Sequence, residues 1–319
     1  MATLTLAVCA RNAQDIIGDC LASVRAQTTA PDEVIVAVDD ASDPTIPVAE
    51  SFGARIVISP STGLYEARNA VLNACTTDYL AFTDADCVLV PEWVDKAKRV
   101  LDTREDIAAG TGRHPPMGTR NLASWLHHMW YVVEVTNTGE TKHVIGGNSF
   151  FRTKALREVG GWLPLPRHSA AEDMYISEAL RRAGHGIWFE EGVAARHHYE
   201  TRLRGLWSKG IMMGRDIVVM MRASGWRGSL WWYTLSIPVM VLVLLLGVGL
   251  LFVEPAIGAA LVGGTLAGSF LYLTYRFGGV RRAFPRWIAR WFLIAPYSIG
   301  IVQGLAATLP AMPAPELEK

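Results

Sequence analysis

The sequence has no excess of either charge, few cysteines and no leader-like start. Thirty Lys and Arg face thirty Asp and Glu over 319 residues, so composition makes no case for nucleic acid as the main partner. The four cysteines, Cys9, Cys20, Cys75 and Cys87, all lie early. Their spacing fits neither a zinc knuckle nor a disulfide scaffold, which points to a reducing compartment. No basic or apolar leader precedes the first strand-like run, Thr3 to Val8, so the N-terminal part is expected to be cytoplasmic. Acids are nearly missing after Trp231, where Leu, Val, Gly and Ala take over.

What is present before that point alternates. Leu4 to Cys9, Glu33 to Val38, Arg55 to Ile58 and Tyr79 to Thr83 are short apolar or β-branched runs that read as strands. Between them, Asp15 to Ala26 and Leu64 to Ala74 read as amphipathic helices. This alternation predicts an α/β fold with a Rossmann-like, mostly parallel sheet. Ligands of such sheets gather beyond the carboxyl ends of the strands, where Asp39 and Asp84 fall. Further on, Thr153 is expected to cap a short helix ended by Gly160-Gly161. Glu172 to Ala183 reads as a helix stopped by Gly184, and Ile187 to Phe189 as a returning strand. The aromatic stretch from Thr119 to Val135 (Trp125, His127, His128, Trp130, Tyr131) has no assignable chemistry.

The remainder predicts an α-helical transmembrane region. Residues 233–253 run apolar for the ~20 residues a bilayer-spanning helix needs. Glu254-Pro255 breaks that run, 256–275 form a second, and 288–309 a third that contains Arg290 and Pro296. The basic connector Arg276, Arg281, Arg282, Arg286 and Arg290 places its side of the membrane in the cytoplasm. Arg222, Arg227, Trp226, Trp231 and Trp232 then mark the inner interface, and Leu203 to Met221 is expected to lie along that surface. The expectation is a multi-pass protein of the cell membrane, in contact with membrane lipid, with its N-terminal domain cytoplasmic.

Three acidic or histidine-bearing motifs carry candidate chemistry. Asp84-Ala85-Asp86 follows an apolar strand, and two carboxylates one residue apart can share a divalent cation that bridges two phosphates. Glu172-Asp173 stands at a helix start, where acids stabilise the macrodipole but can also take a proton from an acceptor hydroxyl. His197-His198 follow a strand, and one of them can complete a site that two carboxylates leave open.

Taken in order, Val8 to Asn12, Val38 to Asp43, Gly63 to Asn69, Asp84-Ala85-Asp86, Gly146-Gly147-Asn148 and Glu172-Asp173 resemble the family-2 glycosyltransferases of GT-A fold, over roughly residues 3 to 220. The resemblance implies a GT-A nucleotide-sugar domain over 1–200, and hydropathy adds an interfacial helical linker over 201–231 and the membrane region over 232–319. It implies that Ala10, Arg11, Asn12, Asp39, Arg68 and Asp84 lie at the nucleotide. Asp86, with Asp84 and His197 (or His198), is implied to hold Mn²⁺ or Mg²⁺. Gly147 and Asn148 are implied to face the donor or acceptor sugar, and Asp173, with Glu172, to supply the catalytic base.

The Gln-x-x-Arg-Trp motif of processive members is missing after Glu172-Asp173, which points to transfer of a single sugar. The expected reaction is an inverting, metal-dependent transfer from a UDP- or GDP-sugar to a lipid-linked saccharide, in cell-envelope glycan or glycolipid synthesis. A polyprenyl phosphate is the alternative acceptor, and its oxygen needs no base. Two readings of other classes compete. A nucleotidyltransferase usually opens with a Gly-rich basic loop, which Ala10 to Gln14 does not form. A catalytically silent membrane scaffold is disfavoured by the intact acids.

Overall fold

The computed structural model describes residues 2–131, 137–165, 167–226 and 229–309. They divide into two compact units, Met1–Gly118 with Val135–His198, and Thr119–Glu134 with Tyr199–Lys319. The aromatic stretch from Thr119, read above as part of the first domain, therefore groups with the C-terminal helices. Its expected end, Val135, lies outside the described residues, as do Arg227 and residues 310–319.

The first unit alternates strands and helices, all but α2 where the apolar periodicity predicts them: β1 (Leu4–Cys9), α1 (Ile17–Arg25), β2 (Glu33–Val38), α2 (Thr45–Ser51), β3 (Arg55–Ile58), α3 (Leu64–Ala74) and β4 (Tyr79–Asp84). It continues through β5 (Cys87–Leu89), α4 (Trp93–Thr103), β6 (Ile107–Arg113) and β7 (Pro116–Met117). In the second unit, α5 (Leu122–Tyr131) follows. The chain then returns to the first unit with β8 (Gly139–Thr141), β9 (Asn148–Arg152), α6 (Thr153–Glu158), α7 (Glu172–Arg182) and β10 (Gly186–His198).

The strands form one mixed sheet in the order β3-β2-β1-β4-β9-β6-β10-β5, with β7 and β8 paired to β10. β1, β2, β3 and β4 run parallel, whereas β9 is antiparallel to both β4 and β6. β1 lies between β2 and β4, so Ala10, Asp39 and Asp84 leave the sheet at neighbouring carboxyl ends, with Cys9 in register with Asp84. The core beneath them is aliphatic from β1, β2 and α1, and aromatic where Phe82, Phe151 and Trp162 meet edge to face.

Two local expectations change. Thr153 is the first residue of α6 and makes no capping hydrogen bond, while Gly160 and Gly161 do adopt the positive φ (77° and 70°) that ends the helix. The returning strand is far longer than Ile187–Phe189. β10 pairs in parallel with β6, shifts register between Glu190 and Ala194, and then pairs antiparallel with β5 through His197. Polar Glu190-Glu191-Gly192 interrupt the apolar pattern at that shift. The histidine pair is thus the end of the strand itself.

The second unit adds α8 (Leu203–Ala223), α9 (Ser229–Leu250), α10 (Pro255–Arg276) and α11 (Val280–Ala306). Among the described residues, α10 and α11 are long and apolar enough to cross a membrane, and Thr234–Leu250 of α9 is a shorter apolar stretch. α11 begins eight residues earlier than the expected third run, so Arg281, Arg282 and Arg286 are helical. α8 is packed within the unit along α11. Gly210 lies against Pro296, Gly214 against Tyr297 and Ile301, and Gly300 and Gly304 against Ile211 and Arg215, so a Cβ at Gly214 or Gly300 would collide with backbone. Two small-xxx-small pairs let the helix axes approach closely. Arg222 Nη1 donates to Gly304 O and Ala307 O, each at 2.7 Å, satisfying carbonyls at the end of α11.

Candidate active site

The end of β1 is a tight turn. Asn12 takes a positive φ of 51°, and its N–H donates to Asp43 Oδ2 at 3.0 Å. Asp43 also accepts from Thr45 N at 2.8 Å, and Thr45 Oγ1 accepts from Ala13 N at 2.9 Å. Burial alone would raise the Asp43 carboxyl, but these donors hold it below the usual carboxylate range. The turn leaves Arg11 exposed, with Nη1 3.8 Å from Asp39 Oδ2. Asp39 is pushed up by burial, and Arg11 and the Gly63 N–H oppose that rise.

Asp84 closes β4, Asp86 follows in the turn, and Cys87 opens β5. Because β5 pairs with β10 at Cys87 and His197, this long-range strand pairing brings the imidazole to the carboxylates. Potential ligand atoms of Asp84, Asp86, Cys87 and His197 all lie within 4.8 Å of one another. His197 Nε2 is 3.3 Å from Asp86 Oδ1, and His114 stacks on the His197 ring at 5.1 Å. His198 instead gives its N–H to Asp86 O at 3.1 Å, with its ring against Gly118. Burial, then the charges of Asp84 and Asp86, push the Cys87 thiol well above its ordinary value, so it stays protonated near neutral pH. The thiol is the soft donor of the cluster, and two carboxylates and one imidazole are the harder ones. That hard, oxygen-rich set fits a Mn²⁺ or Mg²⁺ ion.

Gly146-Gly147-Asn148 run beneath both groups of acids. A Cβ on Gly147 would run into the Asp84 carboxyl, and one on Gly146 would meet Glu172 Oε1 at 2.5 Å and Arg68 Nη2 at 2.8 Å. The two glycines therefore let two side chains sit directly on backbone. Asn148 is fully buried and spends its side chain internally. Its Oδ1 accepts from Trp93 Nε1 at 2.7 Å, and its Nδ2 donates to Arg113 O at 2.9 Å and Val193 O at 3.2 Å. Its amide ties β9 to β6 and β10 and has no hydrogen left for a sugar.

Glu172 and Asp173 open α7, directly after Ala171, which holds a left-handed φ of 66°. Glu172 is buried and paired with Arg68, whose Nη2 is 3.3 Å from its Oε1. Asp173 keeps part of its surface open and accepts from Met174 N at 2.7 Å. Burial, then the neighbouring Asp173 charge, push Glu172 up to about 8 against the pull of Arg68. Asp173 is raised chiefly by burial, with Arg68 and His143 pulling it down. Arg68 is only 1% exposed, so it reaches Glu172 rather than an open nucleotide cleft.

Sequence reasoning missed Cys87, His114 and His143 as neighbours of the acids. Cys87 was legible in position, one residue after Asp86. The two histidines reach the site only through the sheet and the β8–β9 connection.

The mixed α/β sheet, with Asp84 and Asp86 at its carboxyl edge, has the GT-A fold. Residues 5–160 match the model of the glycosyl transferase family 2, so this part of the chain is similar to that family's domain. The pre-mycofactocin glycosyltransferase of Mycobacterium tuberculosis is 27% identical over 188 residues, which cover 53% of this chain and 38% of that protein. An O-antigen chain rhamnosyltransferase of Salmonella typhimurium is 26% identical over 219 residues, 62% of this chain and 68% of its own length. The chain spans little more than a third of the mycobacterial relative, and a Bacillus subtilis relative is matched over 32% of its length. A mannosyltransferase of Pyrobaculum calidifontis, solved with GDP-Man and Mn²⁺, superposes with a TM-score of 0.63 at 16% identity, covering 95% of this chain and 87% of that one. At that identity the likeness is one of fold. The family match over residues 5–160 favours the glycosyltransferase reading over the nucleotidyltransferase one.

Proposed function

We propose that the enzyme moves one sugar, with inversion, from a UDP- or GDP-sugar to a lipid-linked saccharide at a membrane. The observation that carries the reading is the convergence of Asp84, Asp86 and His197 at the carboxyl edge of the sheet, next to the turn bearing Ala10, Arg11 and Asn12. Asp86, Asp84 and His197 would hold Mn²⁺ or Mg²⁺, which supplies Lewis-acid neutralisation of charge on the departing diphosphate. Ala10, Arg11, Asn12 and Asp39 would bind the nucleoside. Asp39 accepts hydrogen bonds from it, and Gly147 gives its backbone room beside Asp84.

Asp173 would take the proton of the attacking hydroxyl. A carboxyl raised above its ordinary range by burial is a stronger base when ionised, and its partly open surface leaves a path for the acceptor. Attack opposite the leaving group gives a single displacement and an inverted anomeric centre. α10 and α11 support a membrane setting, and the arginines from Arg276 to Arg290 favour a cytoplasmic face for their side of it.

Detergent-purified full-length protein, offered a panel of nucleotide sugars with Mn²⁺ and then with chelator, tests this reading. Metal-dependent release of a nucleoside diphosphate from one donor is expected. No release from any donor, with wild type and Asp86→Ala indistinguishable, favours the silent scaffold. Full transfer by Asp173→Asn would move the acceptor to a polyprenyl phosphate.

A further inference from the structure

Helix α3 and the turn before it touch the 162–172 segment at five successive points. A Cβ on Gly63, at φ 122°, would press on Arg167 N (2.8 Å) and His168 O (2.9 Å), so only glycine admits that segment so close. Leu64 N donates to His168 O at 3.0 Å. Tyr65 Oη donates to Ala170 O at 2.9 Å. Arg68 meets Glu172 at 3.3 Å. Asn69 closes the set, with Nδ2 donating to Trp162 O at 2.7 Å and Oδ1 accepting from Trp162 N at 2.9 Å. These partners lie 93 to 105 residues away in sequence for Tyr65 and Asn69, so the contacts are tertiary.

The segment so held is backbone-strained. Arg167 and Ala171 both take φ of 66°, a region that non-glycine residues avoid unless their surroundings impose it. Ala171 is the residue that turns the chain into α7, so its conformation aims Glu172 and Asp173. The Arg68 guanidinium is fixed in turn. It sits 4.8 Å from the Phe82 ring centroid and 5.6 Å from that of Trp162, while Nε and Nη1 are buried without a hydrogen-bond partner among the described residues. A guanidinium buried with donors unspent is costly, and among the described residues its ion pair is with Glu172.

We infer that Gly63 to Asn69 is a template for the acceptor-side acid pair, in which Arg68 and Tyr65 are positioning residues that set where Glu172 and Asp173 point. This rests on the proposed role of Asp173 but locates a different determinant of it. Nucleotide contact by Arg68 would need an exposed guanidinium, and at 1% exposure it acts through Glu172 instead. The charged and titratable groups around the pair are Arg68 from α3, Asp84 from β4, Cys9 from β1 and His143 from the segment before Gly146. Arg68 is the cation whose pull on both carboxyls opposes burial.

The test uses full-length Arg68→Met, Arg68→Lys and Tyr65→Phe, read first by amide hydrogen exchange over 168–176. Faster exchange there in Arg68→Met and Tyr65→Phe, with β1 and β4 unchanged, is expected whether or not a donor has been found. Exchange identical to wild type in both variants overturns the template. In turnover, kcat should fall at least tenfold in Arg68→Met, with donor affinity within about twofold. The acid limb of the pH profile should move to higher pH in Arg68→Met and stay near wild type in Arg68→Lys. Loss of donor affinity in step with kcat would make Arg68 a nucleotide ligand and overturn the inference. A wild-type enzyme inactive with every donor would sink the functional reading and leave the exchange result to decide this one. Tyr65→Phe keeps the buried ring and guards against an Arg68 variant that fails to fold.

Discussion

Two pairs of acids lie at the same edge of one sheet, and their surroundings differ in kind. Asp86 keeps 31% of its side-chain surface open and shares its space with an imidazole. Glu172 keeps 8%, faces a buried guanidinium, and is raised to about 8. A partly open carboxylate beside an imidazole suits a cation, whereas two acids raised by burial, one closed and one partly open, suit proton transfer. The glycines repeat the division, Gly147 serving Asp84 and Gly146 serving Glu172 and Arg68. The lesson is that burial and partner, more than residue type, separate the two proposed roles.

The largest effect should come from breaking the open pair. Asp86→Ala should reduce metal-dependent turnover by roughly 10³-fold or more, as loss of Lewis-acid assistance implies, in a donor-release assay. Asp173→Asn should reduce transfer to a hydroxyl acceptor by about 10² to 10⁴-fold while leaving release of nucleoside diphosphate to water metal-dependent. The glycines sharpen the comparison further. Gly147→Ala should weaken metal-dependent donor binding, and Gly146→Ala should lower kcat at unchanged donor affinity. Each effect should reach up to about 10²-fold, because sub-ångström displacement of a reacting group is costly. Matching losses in both parameters for both variants would erase the division.

pH gives a smaller, signed prediction. Asp173 must be ionised to accept a proton, and burial raises it above the ordinary 3.8. Activity should therefore be lost as pH falls through that raised value, with the acid limb above the usual aspartate range. The smallest effect belongs to Cys87→Ser. A thiol is a soft donor that a hard cation disfavours, so Mn²⁺ affinity should change by less than about threefold, whereas removing a true ligand or its support costs about 10 to 100-fold.

The parallel half of the fold was legible because its apolar runs are short, clean and separated by amphipathic helices. β1, β2, β3 and α3 fall on the residues the pattern names. β6, with its sequence Ile-Ala-Ala-Gly-Thr-Gly-Arg, gave no such signal, since small residues carry neither strand nor helix periodicity. β10 was cut short because Glu190-Glu191-Gly192 look like a strand end, and only pairing with β5 shows the strand continuing to His197. The acids were visible as motifs. Their environments were not, because the Arg68–Glu172 pair joins residues more than a hundred positions apart and Asn148 is spent on Trp93 rather than on a ligand. In the second unit, hydropathy marked the apolar helices. It could not reveal that Gly210, Gly214, Gly300 and Gly304 draw α8 onto α11.

The most direct test of the division between the two acid pairs is donor binding measured beside transfer, in Mn²⁺ and in chelator, for Asp86→Ala and Asp173→Asn. Asp86→Ala is expected to lose the metal-dependent part of donor binding, and Asp173→Asn to bind donor as wild type does while transferring no sugar to a hydroxyl. Metal-dependent binding retained in Asp86→Ala, or lost in Asp173→Asn, would contradict the account.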